Sequence, residues 1–140
     1  MSTSVSGFMA TRIGARRLRI AEAPQVGRGV FAERDYEAGE VIESAPVIVI
    51  PASDWQHLEK TELFNYCYAW GERLDEMAIA LGFGSLYNHS YSPNARYVRR
   101  CRERLIDFVT LKTIRKGEQI CVNYNGAANC RDPLWFSVAE

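Results

Sequence analysis

Apolar and β-branched residues fall in short runs separated by glycine, proline and asparagine, the pattern of strands and turns rather than of long helices. Leu18-Arg19-Ile20-Ala21-Glu22-Ala23 alternates loosely, Pro24 and Gly27 interrupt it, and Gly29-Val30-Phe31-Ala32 resumes an extended run. The spacing predicts a hairpin-like pair with a glycine-rich connection. Val41-Ile42 and then Val47-Ile48-Val49-Ile50 are β-branched runs bounded by Gly39, Pro46 and Pro51, hence two strands. Tyr66 to Trp70, Glu76 to Leu81 and Leu105 to Ile114 read as further strands. One segment looks helical. Ser53-Asp54-Trp55-Gln56 has the form of a capping box, predicting a helix to about Phe64.

Two turns repeat. Tyr36-Glu37-Ala38-Gly39-Glu40-Val41-Ile42 and Ile114-Arg115-Lys116-Gly117-Glu118-Gln119-Ile120 share Gly-Glu-x-Ile, and each reads as a tight turn feeding a strand. Two copies are too few for a solenoid. They fit a compact, mostly-β body of several short sheets with one or two short helices.

A chain of 140 residues makes one domain, expected to comprise a flexible tail at 1–10 and a folded body at 11–140. With 17 basic and 17 acidic residues the net charge is zero, which argues against direct nucleic-acid binding. Charge is locally uneven. Six acids lie between Asp54 and Glu76, and five arginines between Arg96 and Arg104. Both stretches read as solvated faces, or the acidic one as an attractant for a basic peptide. Cys67, Cys101, Cys121 and Cys130 lack a C-x-x-C pair, so thiols in a reducing, intracellular compartment are expected rather than a disulfide framework. The first ten residues lack signal-peptide character, and no apolar run is long enough for a membrane helix.

The stretch Gly84-Ser85-Leu86-Tyr87-Asn88-His89-Ser90-Tyr91-Ser92-Pro93-Asn94 carries turn chemistry between two apolar runs. Before it lies Gly27-Arg28-Gly29-Val30-Phe31-Ala32, and after it Gly117-Glu118-Gln119-Ile120-Cys121-Val122-Asn123-Tyr124-Asn125. A lone G-x-G marks a turn more often than a ligand, and no long helix follows this one, so the dinucleotide fingerprint is excluded. The three blocks in this order resemble the SET-domain family of protein lysine methyltransferases, from about Arg19 to Phe136. The resemblance is to small stand-alone members of viral or bacterial type.

The resemblance implies a β-clip body with a pseudoknot-like C-terminal segment. It implies that Gly27, Arg28 and Gly29 hold S-adenosylmethionine through main-chain contacts, that Asn88 binds its amino-acid end, and that the His89 backbone meets the adenine. Asn94 would tie this segment to the chain passing it. Tyr124 is the implied catalytic residue, at the junction of a lysine channel and the methyl donor; otherwise it is a half-buried strand-end aromatic. Tyr66 and Val122 are implied substrate contacts, Val122 standing where many members carry Phe or Tyr, whereas Tyr68 and Trp70 read as core. His57 reads as a structural hydrogen-bonder. Trp135-Phe136 reads either as an aromatic lid over the cofactor or as a docked tail.

A phenol with a pKa of about 10 is a poor base at neutral pH, so Tyr124 is expected to orient the amine rather than deprotonate it. Placing an ammonium roughly 4 Å from a sulfonium costs about 4 kcal/mol at an effective dielectric near 20, or about three pKa units, so no acid–base dyad is needed. Many members bind zinc through a cysteine after Asn-His-Ser and a cysteine-rich tail. Tyr91 and a single tail cysteine stand here, so no metal is expected. The implied partner is a lysine-bearing protein or peptide, a histone tail if the source is a eukaryote or its virus, with a cytoplasmic or nuclear location to match. A homodimer is left open. The rival reading is a catalytically silent SET-like module that binds a peptide or partner protein.

Overall fold

A computed structural model describes residues 17–134. The expected tail at 1–10, Trp135 and Phe136 lie outside the described residues. The strands are β1 (Leu18–Ala23), β2 (Gly27–Ala32), β3 (Val41–Ile50), β4 (Cys67–Trp70), β5 (Glu76–Ala80), β6 (Asn88–His89), β7 (Ala95–Arg100), β8 (Leu105–Thr110) and β9 (Gln119–Val122). They form one sheet in the order β1-β2-β9-β6 and a second in the order β4-β5-β3-β8-β7. The expected mostly-β architecture is correct, and the β1–β2 hairpin pairs in full register from Leu18 with Ala32 to Ala23 with Gly27.

The two strands expected around Pro46 are one ten-residue strand. Pro46 is tolerated because β3 changes partner there. Val41 to Pro46 pair with β8, and Val47 to Ile50 pair with β5. The missing N–H falls at the handover, where the Pro46 carbonyl still accepts from the Leu81 amide at 2.8 Å.

The long helix is absent from this segment. Helix α1 spans only Trp55–Leu58, between 3-10 turns at Ala52–Asp54 and Glu62–Tyr66. Its N-cap is Asp54 rather than Ser53, and no side chain caps it. Thr61 adopts an extended conformation and bonds back to the Leu58 carbonyl, and none of these turns buries a residue. A helix without an apolar face to bury has little to extend it. Tyr66 accordingly ends a turn, and the strand begins at Cys67. The β8 strand stops at Thr110, with Ile114 in a separate bridge to Tyr36.

The arginine-rich stretch contains β7, antiparallel to β8 from Ala95 with Thr110 to Arg100 with Leu105. Two of its arginines are built into the structure. Arg99 Nε donates to the Ala69 carbonyl at 2.6 Å, and Arg100 Nε donates to Asp107 Oδ2 at 2.6 Å.

The echoed turns pair with each other. Tyr36 and Ile114 exchange both main-chain hydrogen bonds, at 2.8 and 2.9 Å. In each turn the glutamate after the glycine accepts from the amide three residues earlier, Glu40 from Glu37 and Glu118 from Arg115. Gly39 and Gly117 have φ of +85° and +94°, a conformation that disfavours any side chain. Between the sheets, Phe108 is fully buried, and the Tyr87 ring stacks on it at 4.3 Å.

Candidate active site

The site grows around β9, which lies between β2 and β6. On one edge β9 pairs antiparallel with β2, Val30 with Ile120 and Phe31 with Gln119; on the other it runs parallel to β6, Asn88 with Cys121 and His89 with Val122. The β2 ladder to β9 ends at Val30, so Gly27 to Gly29 continue past it. There the Asn88 carboxamide takes over. Its Nδ2 donates to the Arg28 carbonyl at 2.9 Å and to Gln119 Oε1 at 2.8 Å. Gly29 leaves room for this approach. A Cβ would stand 2.8 Å from Asn88 Nδ2 and collide with the Gln119 carboxamide.

Successive side chains of a strand point to opposite faces, so His89 turns away from Asn88. His89 Nδ1 accepts from the Tyr124 amide at 3.0 Å, which assigns an acceptor role to that nitrogen. Tyr91 meets the imidazole edge-on at 4.5 Å. The His89 side chain is therefore a prop for the Tyr124 backbone. The Tyr124 hydroxyl donates to the Tyr87 carbonyl at 2.7 Å. Burial pushes this phenol well above its ordinary pKa, so it keeps its proton and faces Tyr87 as a donor.

Asn94 grips β9 from the side, as expected of it. Its Nδ2 donates to the Gln119 carbonyl at 2.8 Å and its Oδ1 accepts from the Cys121 amide at 2.9 Å.

Tyr124 faces a cavity of about 130 Å³ whose wall includes Tyr66, Tyr68, Tyr87, Tyr97 and Arg99. Tyr66 stands at the rim, 37% exposed. Tyr68, expected in the core, packs against the core and also lines the cavity; its hydroxyl donates to the Gly84 carbonyl at 2.6 Å. Trp70 is core, as expected. Tyr97 meets Tyr68 edge-on at 5.0 Å and donates to the Tyr124 carbonyl at 3.3 Å. A chamber walled by π-faces suits an alkylated ammonium.

Val122 is not brought to the cavity wall. It is fully buried in the core, beside His89 of β6 in the parallel ladder. The residues that sequence reasoning missed are Tyr87, Tyr97 and Arg99. The last two lie on β7, whose buried–exposed alternation at Ala95-Arg96-Tyr97 was a readable strand signal beneath the arginines.

Beyond β9 the chain folds back beside the site. Asn123 Nδ2 donates to the Cys130 carbonyl at 2.7 Å, and the Tyr91 hydroxyl donates to the Asp132 carbonyl at 2.8 Å. Tyr91 thus fastens this segment with a hydrogen bond. Among the described residues, no three of His, Cys, Asp and Glu are grouped as a metal ion would require.

A model of the SET domain matches residues 27–125, a span that contains Gly27, Asn88, His89 and Tyr124. The chain is 35% identical over 120 residues to a histone-lysine N-methyltransferase, H3 lysine-37 specific, of Schizosaccharomyces pombe. That match covers 85% of this chain and 76% of the yeast protein. Among solved structures, the crystal structure of a candidate histone methyltransferase from Plasmodium falciparum has a TM-score of 0.60 at 25% identity, covering 78% of this chain and 93% of the other. Family model, curated relative and two-sheet fold agree, and the chain belongs to the SET-domain family.

Proposed function

We propose that this protein transfers a methyl group from S-adenosylmethionine to the side-chain amine of a lysine in a protein, with a histone tail as the leading substrate. One observation carries the reading. The dipeptide Asn88-His89 joins the glycine stretch to the candidate catalytic tyrosine, Asn88 reaching Arg28 and His89 reaching Tyr124. A module that only bound a peptide would have no use for this linkage.

The residues suit the cofactor. Gly27 and Gly29 flank Arg28 past the β9 ladder and carry no side chains, so a ligand can approach the backbone there, with Asn88 alongside. Gly27, Arg28, Gly29, Asn88 and His89 would hold S-adenosylmethionine, and Trp135 would cover it. Bound there, the cofactor supplies an electrophilic methyl on a sulfonium.

The chain's own residues handle the acceptor. A lysine side chain enters past Tyr66 between aromatic walls that exclude water from the amine. The Tyr124 proton is committed to the Tyr87 carbonyl, so the phenol oxygen acts as an acceptor and aligns an amine N–H. Its raised pKa rules out a role as base at neutral pH, and the amine gives up its proton to solvent at the mouth of the chamber, before the aromatic walls close it off from water. Glu62, on the turn that carries Tyr66, favours a basic peptide at the rim. A chromatin substrate places the protein in the nucleus.

Labelled-methyl transfer to a histone-peptide array, comparing wild type with Tyr124→Phe, tests this. Loss of the hydroxyl should lower kcat on the order of 10²-fold with cofactor binding retained. Equal transfer by the two proteins removes Tyr124 from the chemistry. Absence of any heat with S-adenosylmethionine in calorimetry removes the enzyme reading.

A further inference from the structure

The hydrogen bond that aims Tyr124 is one end of a longer arrangement. Its acceptor is the carbonyl of Tyr87, a residue 1% exposed. The other end of Tyr87 is held just as firmly. Its hydroxyl donates to Glu43 Oε1 at 2.8 Å, and its ring stacks on Phe108 at 4.3 Å.

Glu43 reaches this place through an irregularity of β3. Val41 pairs with Val109, yet Glu43 pairs with Phe108, so Ile42 is one residue in excess. Such a bulge re-aims the side chains beside it. It sets Glu43 opposite the phenylalanine on which Tyr87 stacks. The second carboxyl oxygen accepts from the Phe83 amide at 2.9 Å. Gly82 leaves room for that oxygen, which a Cβ there would strike. Burial raises the Glu43 carboxyl above its ordinary pKa, and the hydrogen bonds from Phe83 and Tyr87 oppose the rise. A half-buried acid with both oxygens engaged is a fixed point, and Tyr87 spans from it to Tyr124.

We infer that Glu43 is a positioning residue for methyl transfer, setting the Tyr124 hydroxyl through the two ends of Tyr87. The inference rests on the methyltransferase reading and adds to it a residue that touches neither substrate nor cofactor. A purely structural role for Glu43 predicts lost stability with the chemistry untouched. A positioning role predicts lost kcat in a folded enzyme, because a shift of about 1 Å at a reacting group costs on the order of 10²-fold.

The test is a double-mutant cycle read by kcat, peptide KM and calorimetric affinity for S-adenosylmethionine. Tyr87→Phe keeps the carbonyl and removes the anchor. It should lower kcat about 10-fold or more, with KM and cofactor affinity within about threefold. In a Tyr124→Phe background, where no hydroxyl remains to be aimed, Tyr87→Phe should cause no further loss. An equal loss in both backgrounds, or an unchanged kcat in folded Tyr87→Phe, overturns the inference. Glu43→Asp keeps both acceptors but withdraws them by one methylene, and it decides the matter if Tyr87→Phe does not fold. Reduced kcat with normal cofactor affinity supports positioning, and wild-type kcat refutes it. If Tyr124→Phe itself is fully active, the failure lies with the catalytic assignment rather than with Glu43.

Discussion

Asn94→Ala removes both arms of the clasp on β9 at once. The Gln119 carbonyl loses a donor at 2.8 Å and the Cys121 amide loses an acceptor at 2.9 Å. Depriving a buried polar group of its partner costs about 1–3 kcal/mol. Asn94 is half-buried, which points to about 1.5 kcal/mol for each group and about 3 kcal/mol together. That is a substantial share of the ~5–15 kcal/mol that stabilises a domain. With an unfolding entropy of about 2.1 cal/mol/K per residue, it lowers Tm by about 10 °C. Urea and thermal unfolding followed by circular dichroism measure the effect. A folded Asn94→Ala protein that melts within about 3 °C of wild type would mean that the β2 and β6 ladders hold β9 without the clasp.

Three further outcomes are expected. Gly29→Ala pushes a methyl into Asn88 and Gln119, and should weaken S-adenosylmethionine binding at least ~10-fold by calorimetry; undiminished affinity means that the stretch is not a cradle. Tyr66→Ala, at an exposed rim, should raise peptide KM about 10-fold while kcat and Tm change little; a fall in kcat at constant KM contradicts its placement. Hydrogen bonds from Ser44 and then Arg100 hold the Asp107 carboxyl below its usual range, so its stabilisation is present above about pH 4 and is lost as pH falls through the depressed value. The stability gap between wild type and Asp107→Asn should therefore shrink on going from pH 7 to pH 3 in urea titrations, and a constant gap would exclude ionisation as its source.

The parts of the site legible in the sequence were the contiguous blocks that carry the family resemblance. Glycines beside an extended run, an Asn-His pair in a turn-rich stretch and a tyrosine closing a strand could each be singled out, and the fold brings all of them to β9 and its two neighbours. What escaped depends on cross-strand neighbours. Tyr87 looks like an ordinary apolar position until Glu43 and Phe108 are placed against it. Tyr97 and Arg99 were hidden because the arginines of β7 mask its short buried–exposed alternation. The overlong helix arose from the reverse error. The capping pattern predicts a helix start, but no apolar face follows it for tertiary contacts to hold. Val122 shows that a position two residues from Tyr124 need not share its surroundings, since its side chain is turned into the core.

Because β9 is inserted between the β1–β2 hairpin and β6, β2 must wait for a strand that leaves the ribosome much later. Val30 can meet Ile120 only after every residue between them has been synthesised. Such distant pairings make folding slow, and until then β2 presents an unsatisfied edge to whatever it meets. Nascent chains stalled before Gln119 should therefore depend on chaperones, and ligand competence should arrive in a single late step.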